Sequence, residues 1–75
     1  MVTITVYGKP GCVQCTATKR TLDAAGIAYS EVDVSTDDAA LEHVKALGFS
    51  QAPVVECDDT AWSGFRPDLI DQLTR

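Results

Sequence analysis

The sequence predicts an α/β domain with a mixed four-stranded sheet flanked by three helices, in the order β-α-β-α-β-β-α. Three observations carry this. Apolar residues recur with period two and then at helical spacing, alternately, along most of the chain. Two short β-rich runs near the C-terminus stand so close that only a hairpin joins them. The 75 residues leave room for one core and one domain, residues 1–75.

Residues 2–7 set Val2, Ile4 and Val6 against Thr3 and Thr5, a β-branched strand that Lys9-Pro10-Gly11 breaks. From residue 12 to 25, Cys15, Thr18, Leu22 and Ala25 share one helical stripe, and Gly26 is placed to terminate it. Residues 27–34 read as a second strand, which should join the first through a right-handed parallel crossover. Ser35 and Asp38 have the spacing of a capping box, opening a helix through Leu47 with Ala40, Val44 and Leu47 inward and Gly48 as its stop. Val54–Cys57 and Thr60–Ser63 form the hairpin, joined through Asp58 and Asp59. The last helix covers residues 67–74, with Pro67 at its first position and Phe65 spaced to staple onto Ile70.

Composition narrows the function. The formal charge is −5 and the pI about 4.4, which argues against nucleic acid, whose phosphates need a basic face. Mean hydropathy is +0.01, and no stretch approaches the roughly 20 apolar residues of a membrane span. The first residues lack the basic region and cleavage site of a signal peptide, so a cytoplasmic location is expected. In a reducing compartment, paired cysteines are catalytic or metal-binding more often than structural, and three cysteines do not make an even framework.

The chemistry concentrates in Lys9-Pro10-Gly11-Cys12-Val13-Gln14-Cys15. Two thiols at this spacing can join, but the loop they close is so short that the bond contributes only about 2 kcal/mol by loop entropy. The pair suits reversible oxidation better than stapling, and a Cys-x-x-Cys opening a helix after the first strand is a redox signature. Backbone donors of Gln14 and Cys15 would favour ionised Cys12 as the attacking group, leaving Cys15, on the inward stripe, to resolve the mixed disulfide. Lys9, Lys19 and Arg20 are half of the six basic residues and make the neighbourhood locally positive. A metal set of Cys12, Cys15, Cys57 and His43 is disfavoured, because Cys57 and His43 lie 14 residues apart rather than as a close second pair. Cys57, among valines, reads as a small buried hydrophobe, and His43 as a solvated or partly packed side chain.

The Cys-x-x-Cys, the Ala52-Pro53-Val54 segment and the element order together resemble a glutaredoxin over the whole chain. Cys-Val-Gln-Cys and the run Trp62-Ser63-Gly64-Phe65-Arg66-Pro67-Asp68 look like the NrdH redoxins, glutaredoxin-like proteins that behave as thioredoxins. That resemblance implies a thioredoxin/glutaredoxin-like fold with a cis peptide before Pro53, packed against the dithiol. It implies a disulfide oxidoreductase passing electrons from thioredoxin reductase through Cys12 and Cys15 to the large subunit of a class Ib ribonucleotide reductase. NADPH is then used by the partner reductase. From the residues themselves no bound cofactor, metal or membrane is expected, and the chain is expected to act as a monomer. Lys9, Gly11, Val13, Gln14, Ala52, Pro53, Trp62 and Phe65 are the residues expected to shape the site and its partner contacts. Core packing is the plainer account of Phe65, given its staple spacing, whereas Trp62 could serve partner recognition. The competing readings are a glutathione-dependent glutaredoxin and a metal or iron–sulfur carrier. The first is weakened by the missing Gly-Gly-x-Asp segment and the absence of an aromatic between the cysteines.

Overall fold

The structure, a computed structural model, describes residues 3–58 and 60–73. Val2, Asp59 and Thr74, which the sequence reading placed in a strand, a turn and a helix, lie outside them. The elements are β1 (Ile4–Gly8), α1 (Val13–Ala24), β2 (Ser30–Asp33), α2 (Asp38–Ala46), β3 (Val54–Cys57), β4 (Thr60–Ser63) and α3 (Pro67–Gln72). The sheet runs β2-β1-β3-β4, parallel between β1 and β2 and antiparallel elsewhere.

Strand alternation decides which helix covers which face. Ile4 and Val6 of β1, Val55 and Cys57 of β3 and Trp62 of β4 point one way and pack with Leu22 of α1 and Ile70 of α3. Tyr7 and Glu56 point the other way, where Glu56 meets His43 of α2. Two helices therefore close the core on one face and one lies on the opposite face. Thr18 is fully buried on the inward stripe of α1, its hydroxyl donating to Gln14 O at 2.9 Å, so the polar group costs little.

Both longer helices end alike. Gly26 (φ 73°) and Gly48 (φ 93°) take the left-handed turn that a side chain would resist. Ile27 N–H donates to Leu22 O at 3.0 Å, and Phe49 N–H to Val44 O at 3.1 Å. These turns account for three departures from expectation. Ala25 and Leu47 are the C-caps rather than inward residues, both exposed, and β2 begins at Ser30 rather than at residue 27 because residues 25–27 finish α1. Ser35 does not cap α2 either. Asp37 does, its carboxylate accepting from Ala40 N–H at 3.0 Å, while Ser35 N–H turns back to Asp33 at 2.8 Å. Helix α3 stops at Gln72 within the described residues, and its Pro67 sits in the first turn as the sequence suggested.

Candidate functional site: a disulfide at the head of the first helix

Strand β1 ends where Pro10 and Gly11 turn the chain, with Gly11 at φ 75°. That turn delivers Cys12 to the N-cap of α1 in extended conformation (φ −91°, ψ 107°), and Cys12 Sγ accepts from Cys15 N–H at 3.1 Å. Cys12 and Cys15 are joined as a disulfide with Cα atoms 5.2 Å apart, inside the usual range. The two sulfurs differ in access. Cys12 is half-buried at the mouth, whereas Cys15 is only 3% exposed, on the stripe with Thr18 and Leu22.

Lys9, Cys12, Val13, Gln14, Gln51 and Ala52 line one open groove over the disulfide. The Ala52–Pro53 peptide is cis, as the resemblance implied, and buried Pro53 accepts from Gly64 N–H at 2.8 Å. Gln14 reaches across to the connection between β4 and α3 that Gly64 ties to Pro53, its Oε1 accepting from Phe65 N–H at 3.3 Å. Val13 is 82% exposed beside Cys12, and Phe65 is 37% exposed. Lys9, Gly11, Val13, Gln14, Ala52, Pro53 and Phe65 are thus gathered around the dithiol or the loop beside it.

Trp62 is not. It lies opposite Val55 on the inner face of the hairpin and is 6% exposed within the core. Its indole Nε1 finds no hydrogen-bond partner among the described residues. The burial of the two aromatics is the reverse of the expected one: Trp62 packs in the core and Phe65 is partly exposed. The physical reason is strand alternation, which turns Trp62 inward, whereas Phe65 stands past the end of β4 where no face claims it. Arg66 makes a two-point pair with Asp68, at 3.2 and 3.0 Å.

Lys19 pairs with Glu31 at 2.8 Å, which neutralises part of the positive charge that sequence spacing placed near the thiols. The residues of the metal alternative do not converge. Cys57 takes no part in the disulfide and is buried in the core, while His43 stands across the sheet. There His43 Nε2 contacts both Glu56 oxygens at 3.0 and 3.1 Å, and Tyr7 O–H donates to Glu56 at 3.0 Å. The hydrogen bond from His43 holds the Glu56 carboxyl below the usual carboxylate value, against partial desolvation and with help from Tyr7. Gly8, which the sequence reading passed over, proves to face Cys15 directly. A glycine at the last position of a strand, just before the turn to the dithiol, was the available signal.

A helix-heading disulfide beside a cis-proline, on a β-α-β-α-β-β-α frame, defines a thiol–disulfide oxidoreductase of the thioredoxin fold. The glutaredoxin family model matches residues 4–62, and the chain belongs to that family, among its NrdH glutaredoxin-like members. It is 44% identical over 72 residues to the NrdH protein of Salmonella typhimurium, covering 96% of this chain and 89% of the relative. It is 40% identical to that of Lactococcus lactis, covering 93% and 97%. The solved NrdH-redoxin of Escherichia coli superposes with a TM-score of 0.90 at 46% identity, over 93% of this chain and 92% of that one. Among the described residues no helix is long and apolar enough to cross a membrane.

Proposed function

We propose that this chain is a cytoplasmic electron carrier that takes two electrons from NADPH-dependent thioredoxin reductase and delivers them to the disulfide of class Ib ribonucleotide reductase. Cys12 is the attacking group and Cys15 the resolving one. The observation that carries this order is their unequal access: Cys12 at the mouth as N-cap, Cys15 at 3% exposure behind it. The reduced Cys12 thiolate attacks a partner disulfide, one partner sulfur leaves, and a mixed disulfide forms. Cys15, losing its proton, then attacks Cys12 Sγ, so the Cys12–Cys15 bond closes and the partner departs as a dithiol. The reductase resets the pair with two electrons and two protons. The chain needs no bound cofactor for this.

The likeness to the E. coli protein, described by its thioredoxin-like activity profile, supports the choice of reductant. Exposed Val13 and Phe65 and the charged Lys9 support docking of a protein segment over Cys12. NADPH oxidation in two coupled systems tests the reading. Thioredoxin reductase should reduce the protein efficiently, and glutathione with its own reductase should do so poorly; comparable turnover would favour the glutathione-dependent alternative. Cys15→Ser should trap the large subunit of the class Ib ribonucleotide reductase as a mixed disulfide, whereas Cys12→Ser should trap nothing. Equal trapping by both variants would remove the proposed order of attack.

A further inference from the structure

Gly8 closes β1 with its backbone held in the sheet: it pairs with Asp33, and its carbonyl accepts from Val34 N–H at 2.9 Å. It is not among the positive-φ glycines, so its conformation suits any residue. In such a setting alanine loses less chain entropy on folding than glycine does. What glycine supplies here is space. A Cβ at position 8 would stand 3.1 Å from Cys15 Sγ and 3.5 Å from Cys15 Cβ. Ordinary contact between such atoms is about 3.5–4.0 Å, so something must yield.

The strand is pinned on the β2 side, which leaves Cys15 to move. In the disulfide its sulfur is bonded to Cys12, whose own position is set by the N-cap contact. In the dithiol that bond is gone, so the Cys15 side chain is no longer held to the rotamer the disulfide imposes. A cavity of about 280 Å³, lined by Gly8, Cys15, Lys9, Lys19, Glu31 and Asp33, lies ready to receive the displaced sulfur. The two redox states therefore meet the added carbon unequally. We propose that Gly8 is a positioning residue that sets the redox balance of the Cys12–Cys15 couple, by leaving empty the space the Cys15 sulfur occupies in the disulfide.

The test is redox titration of Gly8→Ala against mixtures of reduced and oxidised dithiothreitol, with the dithiol fraction read by alkylation and mass. Dithiothreitol gives two electrons and two protons to the disulfide and becomes its own cyclic disulfide. Gly8→Ala should shift the balance toward the dithiol by about threefold or more, the scale of a side chain pushed off its rotamer. Urea unfolding of both forms completes the cycle, and the disulfide form should lose stability relative to the dithiol form. A balance unchanged, or shifted toward the disulfide, overturns the proposal. So does an equal change of stability in both forms, or a Gly8→Ala chain that fails to fold even as the dithiol, since either result would mark Gly8 as a packing residue alone.

Discussion

Cys12 and Cys15 are chemically identical side chains that the fold makes unequal. The N-cap position puts Cys12 Sγ within 3.1 Å of a backbone donor, while the helical stripe buries Cys15 at 3% exposure. In the reduced protein, iodoacetamide should modify Cys12 well before Cys15, because access and a nearby N–H both favour its thiolate. Mass mapping of partly alkylated protein would decide this, and equal labelling would contradict the asymmetry. Glu56 makes a second residue-scale prediction. Its folded pKa lies below the unfolded value, with the His43 hydrogen bond as the main cause. The contribution is fully present above the unfolded value and fades as pH falls through the folded one. Acidification from neutral pH to below about 4 should therefore destabilise the protein, and Glu56→Gln should weaken that acid dependence. Urea midpoints across pH would show it; an identical acid limb in both proteins would refute it.

Elements here are set mainly by their ends. Helix α2 starts at Asp38 because Asp37, one residue before it, is the N-cap, although Ser35 has the spacing of a capping box. Asp37→Ala should cost about 0.5–2 kcal/mol, the usual loss of a helix cap. Ser35→Ala should cost less, since Ser35 belongs to the turn closed by Asp33. Chemical unfolding of the two variants ranks them, and a larger loss at Ser35 would restore the sequence-based cap. The same logic explains Ala25 and Leu47. Helical periodicity extends through both, but a glycine in left-handed conformation ends each helix before the stripe can be used.

At the scale of the whole molecule, the chemistry sits at the margin of the core, with Cys15 buried and Cys12 at the mouth. Ile4, Val6, Leu22, Val55, Cys57, Trp62 and Ile70 pack together without either redox sulfur. The disulfide closes a loop with a sequence separation of only 3, so its loop-entropy contribution is about 2 kcal/mol. Reduction should lower stability by about that amount and leave the fold intact, as a thiol–disulfide oxidoreductase that cycles between both states requires. Circular dichroism and urea unfolding of the reduced protein would check this, and an unfolded dithiol form would sink it. A chain of this size, with a core on the order of 3–5 kcal/mol deep, has little stability to lose at its reactive end.

Much of this was legible in the residues alone. Period-two alternation in Ile4 and Val6, the Cys15–Thr18–Leu22 stripe and the Val54–Cys57 and Thr60–Ser63 pairing are local patterns, and local patterns name elements. The Cys12–Cys15 spacing likewise announces its chemistry, because a disulfide depends on a short stretch of chain. Tertiary structure alone decided what depends on residues far apart in the chain. Trp62 is buried and Phe65 partly exposed because the face each meets is made by other elements. Gln14 binds Phe65 across 51 positions, and Gly8 matters only because α1 returns Cys15 to within a carbon's width of β1. Periodicity fixes which way a side chain points from its own backbone, and only packing fixes what stands opposite.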